Sequence, residues 1–390
     1  MRDQKHSYLS RSVDQLKPSG IRRFFDLASQ MENVISLGVG EPDFVTPWNV
    51  IEASFHSLEQ GYTAYTANAG LFELREEISK YLNKSYEVAY NPENQVIVTV
   101  GASQAIDIAL RAIINPGEEV IVVEPGFVSY APAVALAGGT PVTIQATAEN
   151  AFNIQPYQIE AAITPNTKAI ILCSPNNPTG AVLSKDELSG IASVIEKHDL
   201  LVISDEIYAE LTYDEVFTSF ASIKGMIDRT ILISGFSKAF AMTGWRLGYA
   251  AGPKDIIAAM TKIHQYTIMC APTMAQHGAL EALRHGNDSV IQMKTSYRQR
   301  RNFVVKALNE MGLSCHSPGG AFYVFPSVEN TGLSSEEFAE QLLHEERVAV
   351  VPGNVFGKSG EGHIRCSYAT SLKQLDEAMK RMARFVERRL

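Results

Sequence analysis

The chain has 390 residues, of which 45% are hydrophobic and 20% are charged, and its formal net charge is −9. This composition is ordinary for a globular protein, and the length predicts two domains, or one large domain with a smaller one. The acidic balance argues against general nucleic-acid binding, which needs a basic face. The four cysteines are widely scattered and form no CxxC pair. We therefore expect reduced thiols rather than a disulfide framework or a metal site.

The N-terminal segment has no apolar core of the signal-peptide type. No stretch approaches the ~20 apolar residues that a membrane span requires. We therefore expect a cytoplasmic protein without a membrane partner.

Short apolar runs rich in Val and Ile alternate with helical stretches between about residues 95 and 250. Such runs predict strands that are buried on both faces of a sheet. The predicted strands are QVIVTV (95–100), EEVIVVE (118–124), KAIILCS (168–174), LLVISDE (200–206), RTILISG (229–235) and LGYAAG (247–252). Helices are predicted between them, one of them near SYAPAVALAG. This alternation predicts an α/β fold with a mainly parallel, doubly wound sheet.

The pattern changes after about residue 254 and predicts a separate, smaller α+β unit. Its predicted elements are helical stretches at 254–285 and 287–311, strands at 319–326, 347–352 and 363–369, and a last helix at 371–390. The segment before about residue 45 cannot complete the large sheet by itself. We therefore assign residues 46–285 to a large domain, and residues 1–45 and 286–390 to a small domain.

Unusual residues follow the predicted strands, at the edge where open parallel sheets bind ligands. Gly101-Ala102-Ser103 opens a helix and suits an anion, although a plain turn would explain it alone. The loop PNNPTG (175–180) is rigid and rich in amides. Asp205 ends a buried strand, where a carboxylate needs a cationic partner or serves as a helix cap.

Lys238 follows the strand RTILISG and precedes the apolar stretch AFAMTGW, with no acidic residue near it in sequence. A lysine normally extends its ammonium to water. A desolvated lysine has a lowered pKa and becomes an amine nucleophile or base that forms Schiff bases with carbonyl compounds. An anion cradle, an amide-rich loop, a carboxylate and an amine at successive strand ends are together the groups that bind pyridoxal 5′-phosphate.

The motifs SPNNPTG, SDEIY and SGFSKAFAMTGWRLG resemble the signatures of class I/II aminotransferases with the fold type I of pyridoxal-phosphate enzymes. The resemblance extends from SGIRRFFDLA and ISLGVGEPDFVTP to GGAFYVFP and IRCSYA. Within the family the chain resembles the alanine transaminase type of Gram-positive bacteria, and next to it the N-acetyl-diaminopimelate and aromatic aminotransferases. The order and spacing of the motifs make the resemblance specific.

The resemblance implies roles for four residues around the cofactor ring. Lys238 binds the cofactor aldehyde as a Schiff base and, once released, moves the proton of the substrate Cα. Asp205 keeps the pyridine nitrogen protonated. Asn177 and Tyr208 hydrogen-bond the ring oxygen and lower the pKa of the Schiff base, and Asn177 also faces the substrate.

The resemblance further implies a phosphate site and a dimer. Arg246 matches the arginine that binds the phosphate, and Ala102 and Ser103 supply donors at the helix start. Ser237 is a further phosphate contact. Tyr65 matches a tyrosine that reaches the cofactor phosphate of the neighbouring subunit, so a homodimer is expected.

Three further positions follow from the resemblance. Phe127 stacks on the cofactor ring, where many relatives have Trp or Tyr. Arg365, on a predicted strand of the small domain, binds the substrate α-carboxylate, and the backbone at Gly40 contacts the same group. Substrate binding would then close the small domain and exclude water.

The predicted function is a ping-pong transfer of an amino group between an amino acid and a 2-oxo acid. Alanine with 2-oxoglutarate or pyruvate is the first choice, on resemblance alone. A lysine that some aspartate-specific relatives carry is replaced here by Ser103. Aromatic or N-acetyl-diaminopimelate substrates, and a C–S lyase on the same fold, are the alternatives. A non-catalytic regulator is disfavoured, because the extension before the fold is too short for a DNA-binding domain.

Overall fold

The computed structural model describes residues 8–16, 18, 20, 29 and 31–390. Most of the motif SGIRRFFDLA (19–28), and residues 1–7 of the predicted small domain, lie outside this description.

Twelve α-helices and twelve strands are named within the described residues. The helices are α1 (Arg11–Asp14), α2 (Trp48–Glu59), α3 (Phe72–Tyr86), α4 (Gly101–Ile113), α5 (Tyr130–Leu136), α6 (Pro156–Ala162), α7 (Lys185–Lys197), α8 (Lys254–Thr267), α9 (Thr273–His285), α10 (Asn287–Glu310), α11 (Ser335–Glu346) and α12 (Leu372–Glu387). The strands are β1 (Ile35–Ser36), β2 (Val96–Thr99), β3 (Glu119–Glu124), β4 (Thr140–Gln145), β5 (Thr167–Cys173), β6 (Leu201–Asp205), β7 (Thr230–Gly235), β8 (Gly248–Ala251), β9 (Tyr323–Val324), β10 (Val348–Ala349), β11 (Val351–Pro352) and β12 (Ile364–Ser367).

A seven-stranded sheet in the order β2-β8-β7-β6-β5-β3-β4 forms the centre of the larger unit. All neighbouring strands from β7 to β4 pair in parallel, whereas β8 is antiparallel to both β7 and β2. The prediction of an α/β fold with a mainly parallel sheet is therefore confirmed.

The sheet is buried on both faces, as its continuous apolar strands predict. Alternate residues of one strand enter different cores: Ile171 packs with α4, α5 and α8, whereas Ile170 packs with α6 and α7 on the opposite face. Helices α2, α3 and α9 cover that second face near β2 and β8. The sheet is therefore doubly wound.

A second core lies among α10, α11, α12 and the short strands β9, β10 and β12. Strands β11, β12 and β9 form an antiparallel sheet, and β10 pairs in parallel with β1, so that Ile35 lies opposite Val348. Helix α12 begins where the Ser371 hydroxyl accepts a bond from the Gln374 N–H. It packs Leu375, Met382 and Phe385 into the core.

Several predicted elements need correction. Strand β4 was not expected; it lies at the edge of the sheet, is largely half-buried or exposed, and contains Pro141, which a sheet tolerates only at an edge. The helical stretch 254–285 is two helices, because Met269 adopts a left-handed φ of 73° and Pro272 precedes α9. The strand predicted at 319–326 is reduced to β9, since Ala321 has a φ of 57°. The strand predicted at 347–352 is split between two sheets.

Candidate active site

A cavity of about 780 Å³ lies at the carboxyl ends of the parallel strands and extends to the β9–β12 sheet. Except for Tyr65, all of the residues predicted for the site line it: Gly40, Ala102, Ser103, Phe127, Asn177, Asp205, Tyr208, Ser237, Lys238, Arg246 and Arg365. The sequence therefore predicted a set of residues that the fold brings together from five different strand ends and two packed units.

Lys238 follows β7 and has its amine inside the cavity. Its Nζ donates a hydrogen bond to the carbonyl oxygen of Gly40 at 2.7 Å. The rings of Tyr208 and Phe322 lie 5.9 Å from the same atom. Burial lowers the pKa of Lys238 to about 8, against a smaller opposing effect of the Glu41 carboxylate. The amine is therefore available as a neutral base or nucleophile close to neutral pH.

Asp205 is the last residue of β6 and is 4% exposed. Its Oδ2 accepts a bond from the Tyr130 hydroxyl at 2.7 Å, and its Oδ1 accepts one from the Ile207 N–H at 3.2 Å. Burial raises the pKa of Asp205, while these two donors and the charge of Lys238 lower it. No described residue forms an ion pair with Asp205, so this buried carboxylate fits a ligand that brings a positively charged nitrogen.

The start of α4 and Arg246 form a cradle for an anion. Gly101 has a φ of 76°, and a Cβ there would lie 2.8 Å from Nη2 of Arg246. Arg246 itself is left-handed, with a φ of 51°, and its Nη1 donates to the carbonyl oxygen of Thr243 at 2.9 Å. Its guanidinium forms no ion pair with the described residues. The helix start, this free cation and the nearby hydroxyls of Ser103 and Ser237 suit a phosphate group.

The loop PNNPTG turns its two asparagines in different directions. Nδ2 of Asn176 donates to Pro125 O and Thr179 Oγ1, both at 3.0 Å, which anchors the loop. Asn177 lines the cavity, where its Oδ1 accepts a bond from Nη1 of Arg365 at 2.9 Å. The anchored neighbour therefore fixes the position of the functional amide.

Arg365 lies on β12 and is 3% exposed. Its Nη2 donates to Gly38 O at 2.6 Å, and its guanidinium carbon lies 4.5 Å from the ring centroid of Tyr323 and 4.9 Å from that of Phe356. Its Nε has no hydrogen-bond partner among the described residues although it is buried. A buried cation with an unused donor fits a carboxylate ligand.

Of two further predicted residues, one lines the cavity and the other lies away from it. Phe127 is half-buried, lines the cavity and packs edge-on against Tyr130, with the ring centroids 5.5 Å apart. Tyr65 does not line the cavity; it is 78% exposed, in the loop between α2 and α3.

The sequence reasoning missed two tyrosines of the site. Tyr130 bonds Asp205, and Tyr323 places its hydroxyl 2.9 Å from that of Tyr208. Tyr130 follows Phe127 by three residues at the start of α5, and Tyr323 lies in the motif GGAFYVFP. The sequence could have indicated them only by these positions, because the residues that they contact are distant in sequence.

No group of His, Cys, Asp and Glu side chains in the described part of the chain has the arrangement of a metal site. The described helices also include none that is long and apolar enough to cross a membrane.

Comparison with known proteins agrees with this geometry. The family model of class I and II aminotransferases matches residues 32–382. The chain is 65% identical to YugH of Bacillus subtilis over 98% of this chain and 99% of that protein; the name of YugH assigns it provisionally to the aminotransferases and gives no substrate. It is 49% identical to an aspartate aminotransferase of Pyrococcus abyssi, over 96% and 97% of the two chains.

A solved structure shows the same fold. The aromatic aminotransferase from Pyrococcus horikoshii is 47% identical, with a TM-score of 0.90 over 94% of this chain and 99% of that chain. The chain therefore belongs to the class I and II aminotransferases and is an aminotransferase with the fold of that family.

Proposed function

We propose that this aminotransferase uses pyridoxal 5′-phosphate and moves an amino group between an amino acid and a 2-oxo acid in a ping-pong reaction. The observation that carries the proposal is one shared cavity that holds an amine of lowered pKa, Lys238, and a buried carboxylate, Asp205, which forms no ion pair with any residue that the structure describes. When bound, the cofactor supplies an electron-accepting ring for the electron pair of the substrate Cα–H bond.

The residues of the chain divide into three groups around that cofactor. Lys238 is the attachment point and afterwards the base that takes the Cα proton on Nζ. Asp205 holds the pyridine nitrogen in its protonated form, and Asn177 and Tyr208 donate to the ring oxygen. Phe127, which lines the cavity, would pack against the cofactor.

The phosphate is bound at the cradle that Arg246, Ala102, Ser103 and Ser237 form. Both the helix start and the guanidinium favour a dianion at this position. The exposed side chain of Tyr65 supports a homodimer in which this tyrosine serves the phosphate site of the partner.

Arg365 binds the substrate α-carboxylate, together with Asn177 and the backbone at Gly40. Residues 46–285 form the large domain, and residues 1–45 and 286–390 form the small domain that closes over the substrate. The hydrogen-bond partners of Arg365 come from both units. Binding of a carboxylate at Arg365 therefore stabilises the closed arrangement of the two domains, and closure excludes water from the proton transfer.

We favour an amino acid with an uncharged side chain, alanine first. Three cations line the described part of the cavity, Lys238, Arg246 and Arg365, and each already has a role in this scheme. None is left for the side-chain carboxylate of aspartate, and Glu41 adds a negative charge to the lining. The apolar wall at Ile106 and Phe127, with the similarity to an aromatic aminotransferase, supports an aromatic amino acid as the second candidate.

Replacement of Lys238 by Ala tests the proposal. The wild-type protein should carry a cofactor that borohydride fixes to the chain, and the variant should lose both this adduct and turnover. Lys262→Ala, on the neighbouring helix α8, is the control that keeps both. A Lys238→Ala variant that transaminates at the wild-type rate would refute the assignment.

The choice of substrate is tested by a panel of amino donors with pyruvate and 2-oxoglutarate as acceptors. Alanine should give the highest kcat/KM, and aspartate a lower value than either alanine or phenylalanine. A clear preference for aspartate would contradict the charge argument. Release of ammonia without transfer to an acceptor would instead indicate a lyase.

A further inference from the structure

Tyr323 contacts two residues of the site with two different parts of its side chain. It lies on β9, is 1% exposed, and pairs across the antiparallel sheet with Ser367 of β12. Its hydroxyl forms a hydrogen bond with the hydroxyl of Tyr208, and its ring packs against the guanidinium of Arg365. We propose that Tyr323 is a positioning residue that makes Tyr208 a stronger hydrogen-bond donor through its hydroxyl and holds Arg365 flat through its ring.

The first half of the proposal follows from the number of protons on a phenol. Within the described residues, the hydroxyl of Tyr208 has the hydroxyl of Tyr323 as its hydrogen-bond partner, at 2.9 Å. A hydroxyl donates only one hydrogen. When Tyr208 donates to the cofactor ring oxygen, the bond between the two tyrosines therefore requires Tyr323 as the donor. A chain of hydroxyls polarised in this direction strengthens the terminal donor.

The second half rests on the orientation of Arg365. Two of its nitrogens are tied edge-on to Asn177 and Gly38, which leaves the faces of the guanidinium to be packed. The ring of Tyr323 lies 4.5 Å from the guanidinium carbon, a distance typical of a cation–π contact. A flat, pre-oriented guanidinium presents its remaining donors to a carboxylate with little loss of side-chain entropy.

The backbone at Gly40 fixes the Tyr323 hydroxyl from a third side. A Cβ at Gly40 would lie 2.7 Å from that hydroxyl oxygen. The carbonyl of Gly40 also accepts the hydrogen bond from Lys238. The backbone at Gly40 therefore contacts Lys238 on one side and lies close to Tyr323 on the other. The Gly40 segment therefore leaves little space into which the end of the Tyr323 side chain could move away from Tyr208.

The inference rests on the proposed function, and its test separates the two. The holoenzymes of the wild type, Tyr323→Phe, Tyr208→Phe and the double variant are titrated with pH while the visible absorbance of the bound cofactor is followed. Tyr323→Phe should raise the midpoint by roughly half a unit, a fraction of the effect of one charge-assisted hydrogen bond. The double variant should match Tyr208→Phe, because Tyr323 acts through Tyr208.

The ring is tested by Tyr323→Leu, with 2-methylalanine as a ligand that has the α-carboxylate but no Cα proton to lose. Its Kd should rise by about tenfold in the Leu variant, as expected for loss of a buried cation–π contact. It should stay within about twofold of the wild type in Tyr323→Phe, which keeps the ring. Tyr90→Phe, at a buried tyrosine that does not line the cavity, should change neither quantity.

Each outcome has a definite meaning. An unmoved midpoint in Tyr323→Phe, or a double variant in which the two shifts simply add, would overturn the hydroxyl role. Equal Kd values in the Phe and Leu variants would overturn the ring role. A wild-type protein without a cofactor band that depends on Lys238 would overturn the proposed function, and this assignment with it.

Discussion

Asp205 and Arg365 are both buried, ionisable side chains of one cavity, but the residues that hold them in place come from different distances along the chain. Asp205 ends a strand of the large sheet and is held by the N–H of Ile207, two residues on, and by one tyrosine. Arg365 lies on a short strand of the smaller unit, and its partners Asn177 and Gly38 are 188 and 327 positions away. The strand ends of the large sheet therefore form a locally determined region, in the sense that both partners of Asp205 lie in the same unit and within 75 positions of it, whereas the region around Arg365 depends on the assembly of both units.

The largest effect should come from the locally determined region. Asp205→Ala removes the carboxylate that we propose to pair with the protonated ring nitrogen of the cofactor, and we expect kcat to fall by about 10³-fold, the scale of one broken buried ion pair. The measurement is turnover at saturating cofactor and substrate. Asp199→Asn is the control, because this exposed carboxylate also has a partner, Arg229, but lies outside the cavity. A fall of less than tenfold would show that the strand ends do not carry the chemistry.

Arg365→Lys tests the other region and should have the next largest effect. Lysine keeps the charge but loses both the planar fork and the ring contacts, so KM for the amino acid should rise by about 100-fold, with a smaller change in kcat. Steady-state kinetics separate the two constants. Arg381→Lys, at a half-buried position of α12 that does not line the cavity, should leave both unchanged. An unchanged KM would mean that the carboxylate binds elsewhere in the cavity.

Tyr130→Phe sharpens the description of Asp205. The tyrosine hydroxyl lowers the pKa of Asp205, so its removal should raise that pKa. The active form has Asp205 ionised, and activity should therefore be lost at a higher pH as the solution is acidified, by about one unit for a charge-assisted hydrogen bond. The pH profile of kcat/KM measures the shift. Tyr81→Phe is the matched control, since Tyr81 donates to the buried Glu210 away from the cavity. A shift toward lower pH would contradict the assignment.

Tyr65→Phe should have the smallest effect, because the proposed role of Tyr65 is one neutral hydrogen bond to a phosphate for which the cavity offers several other groups. The Kd of the cofactor should rise about fivefold. Tyr62→Phe, an exposed tyrosine of the same loop that stacks on His277, should change it little. Sedimentation of the wild type should show a dimer. A monomer with full cofactor affinity would exclude a role for Tyr65 across an interface.

The contrast between the two regions also explains what the sequence could predict. The sequence predicted the α/β fold and the ends of its strands from apolar runs. It also predicted the positions of Asp205 and Lys238, because each follows such a run within a few residues. Strand β4 was missed because an edge strand is only partly buried and lacks a continuous apolar run. The hydroxyl of Tyr323 could not be assigned, since its partner Tyr208 is 115 positions away.

Gly38 and Gly40 lie on the segment that follows β1, and β1 pairs with β10 only after the intervening chain has been made. Contacts of this sequence separation carry a large loop-closure cost and form late. During synthesis the strands of the large sheet can pair before β10 and Arg365, the partners of β1 and of the segment after it, have been made. With the role proposed for Arg365, the substrate-binding part of the cavity is therefore completed after the part that the large sheet forms, because β12 is the last strand of the chain to be made.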